Sequence, residues 1–231
     1  MTPEEKKISD NALAFVKANS AKLIERFVQG NMPLKEHIPV TVFMAGSPGA
    51  GKTEVSTRLI EELKGAVRID ADEIRGFCPG YIGSNAHLFQ PAATKGVNIL
   101  YDYILKHGIN AVIDGTFAYG EAVKNIDRSL KKERFTAIMF VYQEPLQAWE
   151  FTKKREELEK RRVTKETFIK AFFGSQKNVK EVMSKYGKKI ELTIIIKNEN
   201  NDIDKMLLNE YDIEPHLKKR YNESELNTLL T

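Results

Sequence analysis

The chain has 231 residues, a length that fits one α/β domain with trimmings or a domain plus a small appendage. It is 42% hydrophobic and 29% charged, so it can bury a sizeable core and does not have the make-up of a disordered chain. The net charge of +4, from 36 basic and 32 acidic residues, is too small and too dispersed to predict nucleic-acid binding, although it suits an anionic substrate.

Residues 1–10 are polar and carry both charge signs, unlike a signal peptide. No apolar run approaches the ~18 residues of a membrane-spanning helix. A cytoplasmic protein with no membrane partner is expected. Residues 4–30 read as one amphipathic helix, with Ile8, Leu13, Phe15, Val16, Leu23, Ile24, Phe27 and Val28 at helical spacing and a stop at Gly30-Asn31. Residues 33–39 read as a connector. An apolar strand over 40–45 runs into a glycine-rich turn, and a helix over 52–64 follows. A second strand, 66–70, ends at acidic residues. Cys78 is the single cysteine, so no intrachain disulfide forms, and it is expected to pack as a small buried residue. Pro79-Gly80 and Gly83-Ser84-Asn85 mark an irregular stretch.

A helix is expected over 91–107, then a short strand over 109–113 closing on Asp114-Gly115-Thr116. A helix near 121–132 leads to a strand over 135–142. Pro145 opens a long charged helix, a second helix covers 165–185, and 191–197 is the last clear strand. Short helices are expected near 204–208 and 223–230. Strands separated by crossover-length helices imply a parallel sheet covered on both faces, with ligands beyond the carboxyl ends of its strands. Asp70, Asp72, Asp114, Thr116 and the glycine-rich turn all fall at those ends.

The turn reads Gly46-Ser47-Pro48-Gly49-Ala50-Gly51-Lys52-Thr53, the G-x-x-x-x-G-K-T spacing of a phosphate-binding loop. Its glycines let backbone N–H groups turn inward on a polyphosphate. Lys52 is expected to reach the β- and γ-phosphates of ATP, and the Thr53 hydroxyl to ligate Mg²⁺. No Asn-Lys-x-Asp motif reads guanine, and Asp114 is followed by Gly115 rather than a second acid, which favours a small kinase. A kinase needs a carboxylate near the acceptor hydroxyl. Asp72 is the candidate base, and capping the following turn or helix is its alternative role. Asp70 would hold a magnesium water or brace the loop, and Asp114 is a second candidate near Mg²⁺ or substrate. The run Lys153, Lys154, Arg155, Lys160, Arg161 and Arg162 reads either as a phosphate-clamping lid or as a solvated helix with Glu156–Lys160 and Glu157–Arg161 pairs. Trp149 and Phe151 are expected to pack as core, and His87 and His107 lack metal-ligand spacing.

Over 40–174 these motifs resemble the zeta-toxin family of P-loop kinases. The resemblance rests on Gly46–Thr53, on Ile69 to Arg75 followed by Pro79 and Tyr81, on Ile113 to Thr116, and on Arg155 with Arg161 to Lys165. It implies a nucleoside-kinase-like three-layer α/β/α fold over 37–231, with a lid near 153–166. It also implies phosphorylation of a nucleotide sugar, UDP-N-acetylglucosamine, and an antitoxin protein as partner. By position, Asp72 resembles the general base, and Arg155 with Arg161, or Arg162 in its place, the phosphate-clamping arginines. Arg75, Asn98, Asp114 and Thr116 fall at substrate-site positions. Asn98 stands where the family has an acid and Ala118 where it has an arginine, so the acceptor half departs further than the ATP half. Residues 1–36 are expected either to cover the core or to act as a built-in restraint over the nucleotide site. The competing reading is a nucleotide-gated switch without a small acceptor.

Overall fold

The computed structural model describes residues 1–28, 30 and 38–231. Six strands form one sheet: β1 (Val40–Ala45), β2 (Val67–Asp70), β3 (Ala111–Asp114), β4 (Phe135–Tyr142), β5 (Glu191–Lys197) and β6 (Ile203–Leu207). Their order is β2-β3-β1-β4-β5-β6, with every neighbouring pair parallel except β5–β6. The helices are α1 (Pro3–Ala18), α2 (Ser20–Val28), α3 (Lys52–Glu62), α4 (Ala71–Phe77), α5 (Gln90–His107), α6 (Gly120–Leu130), α7 (Pro145–Glu159), α8 (Lys165–Tyr186) and α9 (Glu223–Leu229).

Strand alternation divides the core in two. Val42 and Met44 point to the α3 side, where they pack with Val55, Val112, Val141 and Ile195. Phe43 and Ala45 point the other way, into the larger cluster built by α1, α2, α5, α6, α8 and α9. The three-layer architecture expected from the sequence is the one present. No helix among the described residues is long and apolar enough to cross a membrane.

Four local expectations are corrected. The helix over 4–30 is two helices, because Asn19 leaves helical geometry and its Nδ2 donates to the Phe15 carbonyl at 2.9 Å, ending α1. Val16 and Leu23 are fully buried, whereas Ile8 is exposed. Residues 204–208 lie largely in β6, not a helix. Asn198 Oδ1 accepts the N–H groups of Asn200 and Asp202, both at 2.9 Å, and Asn201 takes φ +66°, which turns the chain back as a hairpin on β5. The short helix α4 begins directly after β2, capped by Asp70, whose Oδ1 accepts the Asp72 N–H at 2.8 Å. Asp70, rather than Asp72, is therefore the capping residue. The charged helix α7 ends at Glu159, with Lys160 left-handed at φ +58°, so Arg161 and Arg162 lie beyond it. Residues 33–37 of the expected connector at 33–39, and Asn31 of the expected helix stop, lie outside the described residues.

The amino-terminal helices cover the β2 side of the sheet. Helix α1 packs on α5 and on the 3-10 turn Ala86–Phe89, and α2 packs on α5 and β2. Phe15 meets Phe77 of α4 with ring centroids 5.4 Å apart. A Cβ on Gly96 would fall 2.5 Å from Ile74 and 3.4 Å from Leu23, so this glycine lets α5 close on α4 and α2.

Candidate active site

The loop between β1 and α3 is held open by glycine geometry and gripped from outside. Gly46, Gly49 and Gly51 have φ of +133°, +71° and +84°, which side-chain-bearing residues rarely adopt. A Cβ on Gly46 would lie 2.2 Å from the Val141 carbonyl oxygen, and one on Gly49 only 2.0 Å from that of Ala148. Strand β4 and helix α7 thus press directly on the loop. Gly46 also donates its N–H to the Thr116 carbonyl at 3.2 Å, tying the loop to the end of β3.

Lys52 is buried at the first turn of α3, and its ammonium donates to the Ser47 carbonyl at 2.6 Å. Burial lowers its pKa to about 8. Asp114 acts in the opposite direction, while Arg161 and Arg155 reinforce the lowering. Lys52, Arg155 and Arg161 are therefore close enough to repel one another, and a polyanion among them would relieve that repulsion. Thr53 is half-buried at the same turn, and Ser56 and Thr57 donate to its carbonyl.

At the ends of β2 and β3 the acids are linked by Arg68. Its guanidinium donates to Asp114 Oδ2 at 3.0 Å, Asp70 Oδ2 at 2.7 Å and Glu73 Oε1 at 3.2 Å. Ser56 also donates to Asp114 Oδ2, at 2.7 Å. Asp70 has its pKa raised to about 6, chiefly by burial and then by the Asp72 charge, against the opposing effects of the Asp72 N–H and Arg68. Asp72 lies in the first turn of α4, one oxygen accepting from Arg75 and the other from Arg161. Arg75 is itself buried and donates to Gln90 Oε1, while its Nε has no partner among the described residues.

A cleft of about 500 Å³ is lined by Arg68, Asp70, Asp72, Tyr81, Arg155 and Arg161, together with three neighbouring residues. The chain thus brings Asp72, Arg155 and Arg161 to one space, with Lys52 within electrostatic reach. Arg162 is exposed, so of the two candidate clamping arginines it is Arg161 that meets Asp72. Asn98, Asp114, Thr116 and Ala118 line a separate cavity of about 170 Å³ on the α5–α6 side. Asn98 accepts from Arg128 at 3.3 Å, and Ala118 lies against Gly174 of α8, where a Cβ would fall 2.8 Å from the Ala118 carbonyl. Trp149 is buried and donates its Nε1–H to the Thr231 carbonyl at 2.8 Å, whereas Phe151 is half-buried. Cys78 is buried.

Arg68, Gln90 and Ser56 are site residues that the sequence reading missed. Arg68 stands two residues before Asp70, hence on the same face of β2, and strand alternation alone could have flagged it. Gln90 and Ser56 carried no such signal. Lys197 and Asn201 also press on Gly51, where a Cβ would lie 2.7 Å from Lys197 Cε and 2.8 Å from Asn201 Oδ1.

The donor half fits a bound ATP–Mg²⁺. The glycine cradle is preformed, Lys52 rests on the loop's own carbonyl, and Thr53 is positioned at the helix start. No cluster of three or more His, Cys, Asp or Glu that could hold a metal occurs among the described residues. Mg²⁺ binds chiefly through phosphates, water and one or two protein oxygens, and the Thr53 hydroxyl at the start of α3 is of that type.

The family model described as Zeta toxin matches residues 26–207. A search of curated proteins finds no match. Among solved structures, the chain is similar to one from the PezAT chromosomal toxin–antitoxin system of Streptococcus pneumoniae, with a TM-score of 0.63 and 18% identity. That likeness covers 100% of this chain and 88% of the other. It is also similar to the AvrRxo1-ORF1:AvrRxo1-ORF2 structure with sulphate ions, with a TM-score of 0.58, 12% identity and coverage of 89% and 66%. The AvrRxo1-ORF1:-ORF2 structure with ATP gives 0.55, 12%, 90% and 67%. At these identities the structures speak to the fold.

Proposed function

The chain belongs to the zeta toxin family, and from that premise we propose that it is an ATP-dependent kinase acting on a hydroxyl of a small metabolite, nucleotide sugars included. The observation that carries this reading is the position of Asp72. Its carboxylate lies at the rim of the cleft that Arg155 and Arg161 also line, next to a phosphate loop whose lysine senses both arginines. A nucleotide switch has no use for a carboxylate at that point.

In the proposed reaction the loop N–H groups and Lys52 would hold the β- and γ-phosphates, and the Thr53 hydroxyl would hold Mg²⁺. Mg²⁺, when bound, would supply neutralisation of phosphate charge. Arg161 leaves Asp72 for the transferring phosphoryl group, and Arg155 clamps it from the same cleft. Asp72 takes the acceptor hydroxyl proton as the new P–O bond forms and the bond to ADP breaks. Arg75, anchored by Gln90, keeps the Asp72 carboxylate in place. Asp114, held by Ser56 and Arg68, orders the strand ends around the ion and the acceptor. A chain of this family whose structural relatives come from toxin–antitoxin and two-protein complexes is also proposed to act as a toxin with an antitoxin partner.

The test is γ-phosphate transfer to a metabolite panel by the wild type and two variants. Asp72→Asn should retain ATP binding and lose about 10²- to 10⁴-fold in transfer, the usual span for general acid–base catalysis. Lys52→Ala should weaken ATP binding itself. Full transfer by the Asp72 variant would sink the assignment of the base.

A further inference from the structure

The segment that carries the two cleft arginines is exposed for much of its length. Helix α7 is fixed at its first turns, where the Ala148 carbonyl faces Gly49 of the loop and Thr152 is buried. Further on, Leu158, Lys160 and Arg162 are exposed, while Arg155 and Arg161 are half-buried at the cleft. Holding two long side chains in one place costs conformational entropy, which the surrounding structure has to offset.

Both ends of this segment are tied to one short stretch of chain. On the α7 side, buried Trp149 donates its Nε1–H to the main-chain oxygen of Thr231 at 2.8 Å. Lys153, which also pairs with Glu150, donates to the same oxygen at 3.3 Å. On the α8 side, the Lys165 ammonium donates to the main-chain oxygens of Asn227 and Leu230 at 3.0 and 3.2 Å. Those oxygens lie at the carboxyl end of α9, where carbonyls lack partners within the helix and a cation is favoured. The stretch is itself firmly seated, because Leu226 and Leu230 are buried and α9 packs on α8. Arg155 follows Lys153 by two residues and Arg161 precedes Lys165 by four, so the ties bracket both arginines. We propose that residues 227–231 brace the arginine-bearing segment, and that Trp149 and Lys165 are positioning residues that hold Arg155 and Arg161 at the cleft through this brace. Neither Trp149 nor Lys165 lines the cleft, so their effect on transfer passes through the arginines. The brace rests on the kinase reading for that effect, but the position of the segment can be read without any reaction.

The experiment uses the full chain with three single changes. Lys165→Met keeps the aliphatic stem and removes the donor, and Lys165→Arg restores a donor. Trp149→Phe keeps a ring against Phe168, whose centroid lies 5.3 Å from that of Trp149, and removes the N–H. Lys165→Met should lower kcat for γ-phosphate transfer about tenfold with KM for ATP little changed, since a small misplacement of a clamping group is costly. Lys165→Arg should recover most of that loss. In an Arg161→Ala background, Lys165→Met should have no further effect, because groups that act as one unit are not additive. Trypsin supplies a readout that needs no acceptor. Cleavage after Lys160, Arg161 and Arg162 should become several-fold faster in Lys165→Met and Trp149→Phe, well below the thermal midpoint, while cleavage elsewhere stays the same. Unchanged cleavage of this segment, cleavage that rises equally along the whole chain, or a kcat loss that is the same with and without Arg161 overturns the inference. Faster cleavage confined to the segment, in a chain that phosphorylates no acceptor, supports the brace and overturns the kinase reading instead.

Discussion

Asp70 is where local geometry and electrostatics conflict. Its side chain caps α4, yet burial and the neighbouring Asp72 charge raise its pKa to about 6. The folded chain therefore holds a proton on Asp70 that the unfolded chain has already released between about pH 4 and pH 6. Its contribution to stability is full below about pH 4 and is lost as pH rises through 6. Asp70→Asn keeps an oxygen for the cap and removes the charge. It should raise stability at pH 7 by about 1–3 kcal/mol and flatten the unfolding profile between pH 4 and 6, as read by denaturant titration at several pH values. An unchanged profile would mean that Arg68 already neutralises the charge. The residue types at this site were legible, because acids at strand ends beside a phosphate loop stand out in a sequence. Their pairing was not. That Arg68 binds Asp70 and Asp114 together depends on β2 lying in register beside β3, with Asp70 opposite Asp114.

At the scale of elements, the glycine-rich turn between β1 and α3 was legible because its spacing is set by backbone geometry within one segment. What grips it is not local. Gly49 sits against the first turns of α7, about a hundred residues further along the chain. Gly49→Ala would combine a left-handed φ with a Cβ 2.0 Å from the Ala148 carbonyl oxygen, so loop and helix must separate. A loss of about 1–3 kcal/mol is expected from the backbone strain alone. ATP binding should weaken in parallel, measured by thermal unfolding with and without nucleotide. Normal ATP affinity in a destabilised variant would show that the loop tolerates the shift. The lid is the converse case. Its charge pattern suggested a continued helix, but Lys160 adopts a left-handed conformation and releases Arg161 toward Asp72. Propensity could not detect this, because the partner that draws Arg161 out lies on α4.

At the scale of the whole molecule, the amino-terminal helices bear on the division into a regulatory segment and a kinase domain. Val16 and Leu23 are fully buried, and α2 meets β2 and the α4–α5 contact at Gly96. This favours a structural role on the acceptor side, where α4 carries Asp72 and Arg75. Leu23→Ala should cost about 2–5 kcal/mol, the usual range for a buried leucine. Deletion of residues 1–28 should give an unstable protein with reduced transfer. A truncated chain that folds and transfers phosphate faster would instead support a built-in restraint.

The sequence by itself determined the layer order, five of the six strands, the glycine-rich loop between β1 and α3, and the placing of Asp70, Asp72 and Asp114 at strand ends. These follow from hydrophobic period, crossover length and a glycine pattern, all readable within short windows. Tertiary structure alone decided that β6 pairs back on β5, that Asn19 divides the first helix, and that Arg161 rather than Arg162 meets Asp72. Each of these is settled by a partner distant in sequence or by a competing hydrogen bond, so no local pattern records it.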